Sequence, residues 1–278
     1  MIQDIKPHKL NNQYEPGTAA GPDDTVYSFT GGDLLVKVTE DGVVFPVVSL
    51  FGKPEELPLR FLFRIDGKAC FLLSEKPEIL PEGLSYVNLR SLRGDKGLSL
   101  EDAFCAYTAK HLSDWYRDTA FCGRCGTPAV HSGKERAMVC PACGNTAYPR
   151  IMPAVIVGVT NGDRLLLTRY RTGFRHNALV AGFTEIGETL EETVAREVYE
   201  EAGIRVKNIR YYKSQPWGIA NDILAGFYCD VDGEGAITMD PGELSYAEWV
   251  KREEIELQPD SYSLTNEMMK RFKEGKEV

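Results

Sequence analysis

Apolar residues change rhythm twice along this chain. Up to about residue 98 they come in short runs, such as Leu34-Leu35-Val36, Val43-Val44-Phe45 and Phe61-Leu62-Phe63. Gly31-Gly32, Asp41-Gly42 and Asp66-Gly67 punctuate them as turns, so this part reads as β-rich, with a hairpin over residues 64–73. From Ser99 to about Arg117 the period becomes helical: Phe104, Tyr107, His111, Leu112 and Trp115 fall near one side. Beyond Ile151 the run 154–159 predicts a buried strand, Asn161-Gly162-Asp163 a turn, and 164–168 a second strand. Leu190, Val194, Val198 and Ala202 recur every four residues as the stripe of a helix. Thr189 and Glu192 form its capping box, and Gly203 stands just past its end. Strands follow near 209–212, 225–229 and 243–250, and a last helix spans 263–273. Strands flanking helices predict an α/β sandwich for this final part.

Length and charge narrow the picture. A chain of 278 residues suggests about two domains. A net charge of −9 argues against broad binding to nucleic acid, though not against recognition of one terminal nucleotide. No 18-residue apolar run predicts a membrane span, and the N-terminus has no signal-peptide pattern, so the expected compartment is the cytoplasm.

Four of the seven cysteines form two C-x-x-C pairs, Cys122/Cys125 and Cys140/Cys143, with fourteen residues between them. Four thiolates at this spacing make a closed tetrahedral Zn²⁺ site, which leaves no position for substrate and is therefore structural. Disulfides are disfavoured in a cytosolic chain, and a redox pair needs only one such knuckle. Cys70, Cys105 and Cys229 are read as small buried hydrophobes.

The densest chemistry lies in residues 182–204, which hold seven glutamates. Glu197, Glu200 and Glu201 stand at i, i+3 and i+4 on one helix face, where like charges repel. Carboxylates in this arrangement suit Mg²⁺ or Mn²⁺ bridging to phosphates. Arg196 can orient them through its planar fork, and Glu188 braces the loop or the helix start.

The spacing Gly182, Glu188, Arg196-Glu197-Val198, Glu200-Glu201, Gly203-Ile204 matches all nine fixed positions of the Nudix box, G-x5-E-x7-R-E-U-x-E-E-x-G-U. The chain resembles a Nudix hydrolase. With the cysteines and Ser214-Gln215-Pro216-Trp217 it is similar to the NADH pyrophosphatase subfamily, well from Ser99 onward and weakly before. The resemblance implies a Nudix α/β/α sandwich over residues 150–278, a zinc ribbon over 119–149, and a β-rich N-terminal domain ending in a linking helix over 1–118. It implies hydrolysis of NAD(H) to nicotinamide mononucleotide and AMP, NAD-cap removal from RNA, and a homodimer.

By the same resemblance Glu197 and Glu201 are the main Mg²⁺/Mn²⁺ ligands, assisted by Glu200, Glu243 and the Ala181 carbonyl, with Glu201 as the base and Arg196 orienting. Glu135, Tyr148, Phe183, Ser214, Gln215, Pro216, Trp217, Asp222 and Thr265 fall at substrate-contacting positions. One departure stands out: the subfamily reads SQPWPFPxS, whereas here Gly218-Ile219-Ala220 replaces Pro-Phe-Pro and Asp222 replaces the last serine. Two lost prolines predict a looser loop. The change leaves open a Nudix pyrophosphatase for ADP-ribose or a diadenosine polyphosphate. A non-catalytic nucleotide sensor ranks lower, because every box glutamate is present.

Overall fold

The computed structural model describes residues 1–93, 97–173 and 176–278. These divide into two compact units that do not follow the chain in simple order. One holds Met1–Ile2, Ile151–Trp217 and Asn221–Val278; the other holds Gln3–Arg150 and Gly218–Ala220.

In the first unit the apolar run after Ile151 becomes the strand Met152–Asn161, the centre of a mixed six-stranded sheet. It runs parallel to Asp222–Val231 and antiparallel to Val180–Phe183 and Arg164–Tyr170. Val206–Trp217 and Leu244–Lys251 form the two edges. Successive side chains of a strand point to opposite faces. Ala154 and Ile156 therefore join one core with Leu224, Leu264, Met268 and Phe272. Val155, Val157 and Val159 join another with Val194, Val198 and Ala202. A strand covered on both faces has to be apolar throughout, which is why it lacks alternation in the sequence. The covering helices are α2, Leu190–Ala202, and α3, Leu264–Lys273, giving the α/β/α sandwich.

Helix α2 starts and stops where its sequence directs. The Thr189 hydroxyl accepts from the Glu192 N–H, and Glu192 Oε2 accepts from the Thr189 N–H at 2.7 Å. Gly203 ends it in the left-handed conformation, φ 69°.

In the second unit a four-stranded sheet contains the hairpin Leu59–Ile65 and Lys68–Leu73, and Leu34 to Val36 are buried in a second small sheet. Helix α1, Leu100–Asp118, is capped by the Ser99 hydroxyl. It leads into a three-stranded ribbon of Val130–His131, Met138–Val139 and Thr146–Ala147. No described helix is long and apolar enough to cross a membrane.

Candidate active site and metal centre

The box residues converge on the Arg196 guanidinium. Its Nε donates to Glu188 Oε1 at 2.6 Å and one terminal nitrogen to Glu188 Oε2 at 2.9 Å. The other terminal nitrogen donates to Glu197 at 2.7 Å and Glu200 at 3.0 Å, and the fork also reaches the Phe183 carbonyl at 3.0 Å. Glu188 accepts from the Thr193 hydroxyl and the Glu185 N–H as well. The Arg196 hydrogen bonds hold its carboxyl down to about 2. Glu188 is thus the anchor of the loop before α2, and Arg196 the spacer that keeps three carboxylates in fixed places.

Gly182 explains itself in the same geometry. A Cβ at this position would lie 1.9 to 2.2 Å from the Glu197 carboxyl atoms. The strand Val180–Phe183 passes so close to α2 that only glycine leaves room for Glu197.

Glu201 differs from its neighbours. It is 2% exposed, and its Oε2 has no hydrogen-bond partner among the described residues. Burial pushes its carboxyl up to about 8, opposed by the Ala181 backbone N–H and reinforced by the charges of Glu243, Glu197 and Asp240. Burial also raises Glu197. Exposed Glu243 precedes the strand Leu244–Lys251 and acts electrostatically on both. The carboxylates are therefore neighbours, but Arg196 draws Glu197 and Glu200 toward itself. Among the described residues they do not form a cluster at metal-holding distance. Hard oxygen donors and an orphaned buried carboxylate oxygen fit a divalent cation. Tyr170, which the sequence did not single out, faces this group: burial and the charges of Glu201, Glu243 and Glu197 raise its phenol. Nothing in its strand pattern signals that neighbourhood.

Phe183 is half exposed at the end of its strand. Ser214 and Pro216 point to the open face of Val206–Trp217, while Trp217 packs on the α3 core. Gln215 sits inside the fold. It is fully buried, its Nε2 donates to the Tyr262 carbonyl and its Oε1 accepts from the Leu264 N–H, both at 2.7 Å. With its amide bonded to backbone at both ends it braces the start of α3. Asp222 is 5% exposed, and its Oδ1 has no hydrogen-bond partner among the described residues; burial pushes it up to about 7. Thr265 is half-buried in the first turn of α3. Glu135 and Tyr148 belong to the other unit, where the Tyr148 hydroxyl donates to Glu135 at 3.0 Å.

That unit also gathers the cysteines. All four Sγ atoms lie within 4.8 Å of one another, with Cys122–Cys143 at 3.7 Å, Cys125–Cys140 at 3.5 Å and Cys125–Cys143 at 3.6 Å. Four sulfurs about 2.3 Å from a tetrahedral zinc are separated by about 3.8 Å, so the spacing fits the ion. Each knuckle closes identically: Gly126 N–H donates to the Cys122 carbonyl and Gly144 N–H to the Cys140 carbonyl. The cysteines are not paired as disulfides.

Comparison with known proteins agrees with both halves of this description. Residues 150–272 match the NUDIX domain model, and residues 117–148 match the NADH pyrophosphatase zinc ribbon domain model. The chain thus carries a Nudix domain joined to a zinc ribbon of the NADH pyrophosphatase type. Among similar curated proteins are the NAD-capped RNA hydrolases NudC of Citrobacter koseri and Klebsiella pneumoniae, each 44% identical over 151 residues. That stretch is 53% of this chain and 58% of each relative, so the match spans little more than half of either protein. A solved Nudix hydrolase from Nitrosomonas europaea is 23% identical, covering 55% of this chain and 90% of its own, with a TM-score of 0.49.

Proposed function

We propose that this chain is a Mg²⁺- or Mn²⁺-dependent Nudix pyrophosphohydrolase. It splits the diphosphate of NAD(H) into nicotinamide mononucleotide and AMP, and removes the NAD cap from RNA. The observation that carries the reading is Glu201: a buried carboxyl with an orphaned oxygen, on the same helix as two glutamates that Arg196 holds in place. The name shared by the NudC relatives supports the choice of substrate.

Glu197, Glu200, Glu201, Glu243 and the Ala181 carbonyl would hold the divalent ions. Bound there, such ions neutralise diphosphate charge and lower the pKa of water. The protein's own part is positional and protonic. Arg196 fixes Glu197 and Glu200, and Glu188 fixes Arg196. Glu201, buried and with an orphaned carboxylate oxygen, is the group that takes a proton from water when it is ionised. Phe183 and Trp217 offer ring faces, and Ser214, Gln215, Pro216, Asp222 and Thr265 are the proposed substrate contacts of the same unit. Glu135 and Tyr148 of the other unit are proposed as substrate contacts on the family resemblance. The reading goes with a cytoplasmic homodimer built of a β-rich part over 1–118, a ribbon over 119–149 and a Nudix domain over 150–278.

Turnover of NADH, NAD, ADP-ribose and NAD-capped RNA with added Mg²⁺ or Mn²⁺ tests the proposal, with Glu201→Gln as the control. Loss of the base should lower kcat by about a hundredfold or more while the protein stays folded. Near-normal NADH hydrolysis by Glu201→Gln would remove Glu201 from its role. Asp222 favours one second reading. A buried acid where the subfamily has serine supports preference for ADP-ribose or a diadenosine polyphosphate, and the same panel, extended to the latter, decides between them.

A further inference from the structure

A concavity of 510 Å³ lies wholly within the unit that holds the zinc ribbon. Its walls come from the hairpin strand Leu59–Ile65, the C-terminal half of α1 and the outer ribbon strand, and include Arg60, Leu72, Tyr116, Arg117, His131 and Met138. The chemistry of this lining is unlike the rest of the protein. The chain carries 41 acidic and 32 basic residues, yet two arginines and a histidine face this cavity and no carboxylate lines it among the described residues.

Arg60 lies over the face of the Tyr116 ring, 5.2 Å from its centroid, and the His131 ring packs on the same tyrosine at 5.1 Å. Tyr116 is 4% exposed, so it serves as a platform that aims both groups. Burial and, after it, the Arg60 charge hold the His131 imidazole below the ordinary histidine range. Arg117 already has Asp114 at 2.9 Å and Asp118 at 3.1 Å, whereas Arg60 and His131 have no ion pair with a carboxylate among the described residues. The size is that of a small-molecule site, and an inorganic anion would leave the apolar wall of Leu72 and Met138 uncovered.

We propose that this cavity binds a nucleoside monophosphate, its phosphate on Arg60 and His131 and its base along Leu72 and Met138. The choice of a nucleotide among organic phosphates rests on the proposed reaction, which releases two of them. The site lies away from the Nudix box residues in sequence and belongs to the other unit.

Calorimetric titration of the full-length, zinc-loaded protein with AMP tests this, with inorganic phosphate and adenosine as the partial ligands. In Arg60→Ala and in His131→Ala, one class of AMP site should weaken by about tenfold to a hundredfold, the cost of a lost charge-assisted hydrogen bond. Adenosine and phosphate should each bind more weakly than AMP, and NADH turnover should be unchanged. Arg60→Lys, which keeps the charge, should restore part of the affinity, separating recognition from misfolding. AMP affinity and stoichiometry identical to wild type in both alanine variants would overturn the proposal. Absence of NADH turnover with AMP binding still sensitive to Arg60 would instead overturn the hydrolase reading and leave the site standing.

Discussion

Asp222 is a carboxyl group in a place that favours its neutral form. It opens the strand Asp222–Val231, paired with Trp217 on one side and Met152 on the other. Burial pushes it from the ordinary aspartate value of 3.8 up to about 7. Folding therefore takes up a proton between these limits. The contribution is complete below 3.8 and is lost as pH rises through about 7. Asp222→Asn keeps the shape and cannot charge, so its stability relative to the native chain should rise with pH across that window. The ceiling is ~4 kcal/mol. Urea unfolding at pH 4 and pH 8 checks it, and equal differences at both would show that Asp222 does not titrate there. Sequence alone marks Asp222 as a departure but not as a buried one, because burial is set by the strands on either side. The same is true of Gln215, whose motif position is proposed for substrate contact and whose buried amide ties α3 to the sheet.

At the scale of elements, α2 divides cleanly into what was legible and what was not. Its start, stop and apolar stripe depend on residues within a few positions, so Thr189, Glu192, Gly203 and the Leu190-to-Ala202 spacing predict them. Removing the cap by Thr189→Ala should cost about 1 kcal/mol, read as a lower urea midpoint with little change in KM. The approach of the Val180–Phe183 strand to the helix is a distance between two elements, and no local pattern encodes it. The box glycine can be recognised as a motif position, but its reason is the Glu197 carboxyl that occupies the space of a side chain. Gly182→Ala should consequently damage function more than stability. Displacing Glu197 by about 1 Å is expected to lower kcat by about a hundredfold. A circular dichroism melt close to wild type together with that loss is the expected pair of results. Full activity would mean that Glu197 has room to move without consequence. At Gly218 the looser loop expected from lost prolines meets a different fact: a Cβ there would lie 2.1 Å from the Tyr107 carbonyl oxygen, so close packing requires the glycine.

For the whole molecule, the strand and helix order was readable because apolar spacing and turn residues are local signals, and the cysteine spacing named the ribbon outright. The division into units was not readable, because two short segments cross it. Gly218–Ala220 group with residues 3–150, and Met1–Ile2 group with the Nudix part. Ile2 is fully buried, and its N–H donates to the Tyr262 carbonyl at 2.9 Å. Met1 packs against the core that α3 shares with the sheet. A residue next to the start of the chain therefore helps to close a domain that otherwise begins at Ile151. Ile2→Ala should cost about 3 kcal/mol, within the range for emptying a buried isoleucine site. The loss should fall on one unit. Hydrogen exchange should quicken in the Met152–Asn161 strand and in α3, and stay unchanged in the Leu59–Ile65 and Lys68–Leu73 hairpin. Removing zinc should do the reverse. Cys140→Ser should drop the metal content below about one zinc per chain and loosen the ribbon strands first. If either change instead accelerates exchange uniformly over both units, the chain unfolds as one cooperative body and the two units are divisions of contact alone.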